Sequence, residues 1–237
     1  MKYTWTSATA VGHVREMNED SVYPDVDGHG PGPAVIAVAD GMGGAVAGEV
    51  ASRLAIAAAP DGGDAASPLA RVGRGNRAVL EAVEEDTSLA GMGTTLTLII
   101  LHPSGTLEGA HVGDSRAYLY RTGSLEQITH DHTLVAEMIA QGRITPSQAA
   151  THPRRHLLTR VLGTHDMEAD TFELEVRDGD RILLCSDGLT GMVSDRDISR
   201  LLESAADPAE AAWSLVEAAN AAGGLDNTTV AVVDVAR

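Results

Sequence analysis

Residues 95–123, TLTLIILHPSGTLEGAHVGDSRAYLYRTG, contain three short runs rich in aliphatic and aromatic residues, at 95–101, 108–113 and 116–120. Runs of this length, bounded by Gly, Asp and Pro, read as strands. Ser104-Gly105 lies between the first two and Thr122-Gly123 follows the third. Such tight turns join antiparallel neighbours, because a parallel pair needs a long crossover. The middle run ends in His111-Val112-Gly113-Asp114-Ser115-Arg116, so it delivers a carboxylate.

That arrangement recurs outward along the chain. Further strands read at 34–39, 181–186 and 229–235. Asp40 follows Ala34 to Ala39 and opens Gly41-Met42-Gly43-Gly44; Asp187 follows Arg181 to Ser186; Asp226 precedes Asn227-Thr228-Thr229 and the last strand. Asp20 closes Asn18-Glu19-Asp20. A carboxylate at a strand end reaches into a cleft while its backbone stays fixed in a sheet. Several converging there repel one another unless hard cations sit between them, which is the design of a Mg²⁺ or Mn²⁺ site.

Helices are signalled separately. Gly48 to Ala59 is Ala-rich with Val50, Leu54 and Ala57 at helical spacing, and residues 68–85 begin with Pro68 and carry Leu69, Val72, Val79, Leu80 and Val83 on one side. Residues 132–162 read as mostly helical with an interruption. There Gly142 looks like a C-terminal stop, and Thr145-Pro146-Ser147-Gln148 has the form of a capping box. Ser194-Asp195-Arg196-Asp197 and Asp207-Pro208-Ala209-Glu210 start two more helices, and Gly223-Gly224 ends the second. Strand and helix blocks are segregated rather than alternating, so the fold class is α+β.

The 237 residues fit one domain, and no linker argues for two. Hydrophobic residues make up 43% and aromatics only 3%, so the core is built from Ala, Val, Leu and Ile. A formal charge of −17 argues against nucleic acid, whose phosphates it would repel. Cys185 is the single cysteine, which excludes an internal disulfide and a Cys-rich zinc site; inside its apolar run it reads as buried and inert. No apolar stretch approaches the ~20 residues that span a bilayer. The chain therefore reads as cytoplasmic, with no membrane partner, although a membrane-tethered parent stays open.

Several chemistries fall away. Gly43-Gly44 is not followed by Gly-Lys-Ser/Thr, so no nucleotide P-loop is present; no His-Glu-x-x-His or Gly-x-Ser-x-Gly occurs. Asp27-Gly28, Asp61-Gly62 and Asp178-Gly179 read as ordinary turns. Arg15 lies five residues before Asp20, a separation that needs a bend at Asn18 to bring the two together. An arginine beside an acidic cluster is either a counter-ion or a planar fork for a substrate phosphate.

Six passages in order then carry a resemblance. These are Arg15 to Asp20, Asp40 to Gly44 with Gly48-Glu49 and Ala51-Ser52, Gly91-Met92-Gly93-Thr94-Thr95, Ala110 to Arg116, Ser186-Asp187-Gly188-Leu189, and Asp226-Asn227-Thr228-Thr229. Along nearly its whole length the chain resembles the metal-dependent Ser/Thr protein phosphatases (PPM, protein phosphatase type 2C), bacterial stand-alone type. The resemblance implies an α-β-β-α sandwich, two central antiparallel sheets flanked by helices, over residues 1–237, with a flap at about 143–156. It implies two Mg²⁺ or Mn²⁺ ions bridged by Asp40, with the Gly41 carbonyl on one and Asp187 and Asp226 on the other. Glu19 and Asp20 would act at that centre through water, and a third ion would lie between Asp114 and Asp187.

The activity implied is hydrolysis of phosphoserine and phosphothreonine by in-line attack of a metal-bridging hydroxide, with Arg15 holding the phosphate and Asp40 at the catalytic centre. Phosphoprotein substrates would include a Ser/Thr kinase and its targets, acted on by a monomer. Eukaryotic relatives usually have His where Met42 stands, so the general acid is open. The competing readings are a non-catalytic pseudophosphatase that binds phosphoproteins, and a phosphatase dedicated to a stress-response anti-sigma-factor antagonist.

Overall fold

Alternation inside each apolar run sets the layering. In the strand β4 (Ala34–Met42), Ile36 and Val38 point one way and Ala37 and Ala39 the other, yet all four are buried. The same holds in β6 (Leu96–Leu101), where Ile99 and Leu101 enter one cluster and Leu98 and Ile100 another. In β11 (Arg181–Cys185), Ile182 and Leu184 part from Leu183 and Cys185 in this way. Strands buried on both faces read as continuous apolar runs because neither face meets water. A computed structural model describes residues 1–43, 47–61, 63 and 66–237 of the chain.

Two antiparallel sheets stack face to face. One runs β3 (Gly28–Gly30), β1 (Lys2–Ala10), β12 (Thr228–Ala236), β11, β8 (Arg116–Arg121), β9 (Ser124–Gln127). The other runs β10 (Asp170–Glu175), β7 (Thr106–Val112), β6, β4, β2 (Asp20–Tyr23), with β5 (Gly93–Thr94) paired to β4. Between them lies a cluster built from Tyr3, Ile36, Ile99, Ile182 and Val233 among others. Helices α1 (Ala47–Ala58) and α2 (Pro68–Glu85) cover the outer face of the second sheet. On the outer face of the first lie α5 (Asp187–Thr190), α6 (Asp195–Ser204) and α7 (Pro208–Ala221). The architecture is the α+β arrangement of two antiparallel sheets flanked by helices.

The turns at Ser104-Gly105 and Thr122-Gly123 join antiparallel neighbours, as their residues require. Thr122 (φ 48°) and Gly123 (φ 84°) both take left-handed backbone, which suits a two-residue hairpin. Gly142 (φ 69°) ends α3 (Leu134–Ala140), and Thr145 and Gln148 form the capping box of α4 (Pro146–Ala150). Cys185 is fully buried, and burial pushes its thiol up to about 12. Gly44 and Gly62, part of two sequence motifs, lie outside the described residues.

Two expectations need correcting. Residues 132–162 are helical only at α3 and α4. Beyond Thr151 the backbone satisfies itself by pairing instead: Leu162 exchanges hydrogen bonds with Thr94 at 2.9 and 3.3 Å, and Leu157 accepts from Leu134 N–H at 2.9 Å. The carboxylates are also not all at strand ends. Asp40 lies within β4, Asp20 opens β2, and Asp187 opens the short helix α5. The strands β1, β2, β3, β5, β9 and β10 were not read from sequence. They are short or half-exposed, and β3, β9, β10 and β2 end their sheets, where an apolar run is not required.

Candidate metal centre

Asp20 and Asp40 lie directly opposite in the β2–β4 register, a placement that like charges disfavour. The backbone of Asp40 is clamped: its N–H donates to Thr95 Oγ1 at 2.9 Å, and its carbonyl accepts from Thr95 N–H and Thr94 Oγ1, each at 2.9 Å. Thr95 Oγ1 in turn meets Ser115 Oγ at 2.7 Å. Next to Asp40, Gly41 donates its N–H to the Glu19 carbonyl at 3.1 Å, and a Cβ there would collide with the Gly48 carbonyl. Only glycine lets β4 and α1 approach so closely.

Arg15, Glu19, Asp40, Gly41, Asp114, Asp187 and Asp226 line one open cleft of about 960 Å³. The structure thus gathers seven of the eight sequence-derived site residues on one surface. The eighth, Asp20, lies beneath. It is 9% exposed, its Oδ2 accepts from Ser186 Oγ at 2.7 Å, and its Oδ1 is buried without a partner. Burial, reinforced by Asp187 and Asp226, pushes the Asp20 carboxyl up to about 7. Burial raises Asp40 well above the carboxylate range, with Asp20, Asp187, Asp114 and Asp226 adding repulsion. Asp114 rises to about 7 through burial and then Asp187 and Asp131.

A mutually repelling set of oxygen donors with an orphaned buried oxygen suits a hard divalent cation. Among the described residues, no three His, Cys, Asp or Glu side chains form a compact cage around one point. The donors instead ring a cleft, which fits an ion such as Mg²⁺ that keeps several of its waters. Asp40, Gly41, Asp187, Asp226 and Asp114 line that cleft and would be the donors for such ions.

Arg15 does meet this cluster, through bends at Glu16 and Met17 rather than at Asn18. Its Nη2 donates to Asp226 Oδ2 at 2.8 Å, and Nη1 lies 3.7 Å from Glu19 Oε2. Burial raises Glu19, opposed by Arg15. Asn18 has another job: its Nδ2 donates to Thr9 Oγ1 at 2.8 Å, and its Oδ1 accepts from Asp20 N–H at 3.2 Å.

Sequence reasoning gave no site role to four residues. Asn227 is buried; its Oδ1 accepts from Glu19 N–H, and its Nδ2 donates to the carbonyls of Val11 and Met17, each at 2.9 Å. It pins the Arg15–Glu19 loop to the start of β12. Ser186 joins the two sheets, donating to Asp20 while accepting from Thr229 N–H at 3.0 Å. His132 grips Gly113, whose φ of 109° favours glycine: Gly113 N–H donates to His132 Nδ1 at 3.1 Å, and His132 N–H donates to the Gly113 carbonyl at 2.7 Å. Asp170 holds the other side of that imidazole at 3.2 Å. This clamp immediately precedes Asp114. His156 lies on the cleft wall with Nδ1 3.7 Å from Asp187 Oδ2, which raises the imidazole. Asn227 and Ser186 stood inside quoted motifs, and His156 closes the basic run Arg154-Arg155-His156 in the segment read as a flap; nothing local marked His132.

Comparison with known proteins agrees with this geometry. The family model described as Protein phosphatase 2C matches residues 11–226. The Ser/Thr protein phosphatase PstP of Mycobacterium tuberculosis is 48% identical over 231 residues, covering 94% of this chain and 43% of that protein. The chain therefore spans less than half the length of these first curated relatives. The Ser/Thr phosphatase Stp of Listeria monocytogenes is 38% identical over 237 residues, covering 94% of this chain and 92% of that protein. A crystal structure of the M. tuberculosis PstP phosphatase superposes with a TM-score of 0.91 at 44% identity, covering 100% of both chains. A structure of the PstP catalytic domain with two manganese ions gives 0.88 at 43% identity, covering 100% of this chain and 99% of that one.

Proposed function

The chain belongs to the protein phosphatase 2C family, and from that premise we propose that it hydrolyses phosphoserine and phosphothreonine on proteins. The observation that carries the reading is the convergence of Asp40, Asp114, Asp187 and Asp226, from both sheets and their loops, on one cleft with Arg15 at its edge. All the residues that the family resemblance names are present, which favours catalysis over a binding-only role.

Asp40, the Gly41 carbonyl, Asp187 and Asp226 would hold a pair of Mg²⁺ or Mn²⁺ ions, and Asp114 with Asp187 would hold a third more weakly. Bound, these ions supply an activated water and neutralise charge on the phosphoryl group. Arg15, already beside Asp226, offers its guanidinium fork to the phosphate oxygens. Glu19 and Asp20 accept hydrogen bonds from water at the centre and orient it. Met42 lines the cleft, and its thioether cannot protonate the leaving alkoxide, so that proton comes from water. Residues 1–237 form one phosphatase domain, with 143–156 as a flap beside the cleft. In finer form, the substrates include a Ser/Thr kinase and its targets, and the protein acts as a monomer. No helix among the described residues is long and apolar enough to cross a membrane.

The test is turnover of p-nitrophenyl phosphate and a phosphothreonine peptide. EDTA should abolish both and Mn²⁺ should restore both. Full activity after rigorous metal removal would sink the reading.

A further inference from the structure

Past Asp114, His156 and Asp187, the catalytic cleft adjoins a second pocket of about 430 Å³ that shares these three residues. Its far wall is apolar and belongs to the short helices α3 and α4: Val135, Ala136 and Ile139 from the first, Pro146, Ala149 and Ala150 from the second. None of the three core clusters takes a residue from either helix. These six apolar residues thus line a pocket rather than the interior of the sandwich, with Val135 and Ala149 buried in its wall. On the near side Arg116 is matched, donating to Asp131 through Nε at 2.8 Å and Nη2 at 2.7 Å, and the exposed Arg155 also lines the pocket.

We infer that this pocket receives the aliphatic side chain of a residue flanking the phosphoserine or phosphothreonine of a substrate protein. The inference rests on the phosphatase reading above. A substrate whose phosphate lies against Asp40 and Asp187 must carry its chain out of the cleft, and the cleft wall at His156 is also the mouth of this pocket. An extended peptide advances ~3.3 Å per residue and alternates its side chains, so a residue close to the phosphorylated one faces that mouth. Asp114 and Asp187 oppose an acidic side chain there, the Arg155 charge is exposed to water and screened, and the apolar wall has no partner for any buried charge. An aliphatic group removes the wall from water and leaves no polar atom unmatched.

The experiment uses the whole chain with Mn²⁺ and a series of phosphothreonine peptides in which Leu replaces Ala at each flanking position in turn. At one position the Leu peptide should exceed its Ala partner by about 10-fold in kcat/KM, the scale of filling an apolar pocket. Ala136→Phe fills the pocket and Ile139→Ser strips its wall. Each should bring that Leu-to-Ala ratio toward one, with p-nitrophenyl phosphate as the reference that does not reach the pocket. The two substitutions, one adding and one removing side-chain volume, guard against one that unfolds α3, and circular dichroism reports either loss. Metal-dependent p-nitrophenyl phosphate turnover with Leu-to-Ala ratios near one throughout, or a ratio that survives both variants, overturns the pocket and leaves the phosphatase reading standing. Absent turnover of every substrate would overturn that reading instead. Fluorescence anisotropy of the same peptides then decides the pocket alone, because equal Kd values for Leu and Ala peptides would refute it.

Discussion

The floor and the far wall of the active cleft are built in opposite ways. At the floor, Asp40 stands in a central strand whose N–H and carbonyl are both engaged by Thr94 and Thr95, and Asp20 is locked to Ser186 on the other sheet. The wall at α3 and α4 consists of short helices outside every core cluster, with most of residues 141–157 exposed. Carboxylates that repel one another need a backbone that does not yield, and only a paired sheet supplies it. On the proposed function this wall meets protein substrates, which needs no such restraint, and loops carried by a rigid scaffold suit it.

The contrast breaks first at the floor. Asp187→Asn should lose about 10²–10³-fold in kcat, the scale of removing a principal electrostatic group, while the protein stays folded. Near-normal turnover with metals still bound would refute the assignment. The same repulsion makes the metal-free protein pH-sensitive. Asp20 and Asp114 titrate at about 7 when folded, against about 4 in an unfolded chain. The folded state therefore holds protons that the unfolded chain releases. That stability is full below about pH 4 and is lost as the pH rises through 7. Thermal melts in EDTA from pH 4 to 8 should show the decline, and Asp114→Asn should flatten it. Parallel slopes in the two proteins would contradict the electrostatic account.

Weakening single supports should do less. Asp114→Ala should leave two ions tightly bound yet demand about 10–100-fold more Mn²⁺ for full turnover, read by metal titration with single-turnover kinetics. Unchanged kinetics at low Mn²⁺ would reduce Asp114 to a turn residue. Arg15→Ala should raise KM about 10-fold with a smaller change in kcat, as expected for uniform phosphate binding. Its 2.8 Å pair with Asp226 allows the other outcome, a lower Tm with unaltered kinetics, which would make it a counter-ion. At the wall the effects should be smallest. Neutralising Arg154 and Arg155, two exposed cations in the segment 143–156, should slow phosphopeptide turnover a few-fold and p-nitrophenyl phosphate less. Equal losses would tie the pair to folding instead.

Much of this division was legible in the chain. The runs 34–39, 95–101 and 181–186 announced strands because both of their faces are buried, and the turns beside Gly105 and Gly123 announced antiparallel neighbours. The edge strand β10 was not legible, because Asp170–Glu175 alternates polar and apolar residues on a half-exposed surface. The helix expected after Thr151 failed because Leu157 and Leu162 found backbone partners far away in sequence, at Leu134 and Thr94.

By itself, then, the sequence determined the strands that are buried on both faces, most of the carboxylates that meet at the cleft and the family the chain belongs to, since these rest on local pattern and ordered motifs. Tertiary structure alone decided that Asp20 lies opposite Asp40, that Arg15 meets Asp226, that His132 grips the residue before Asp114, and that α3 and α4 leave an apolar pocket beside the cleft. Each of these contacts joins segments whose separation along the chain carries no periodic signal. They exist only once strand order has brought those segments together.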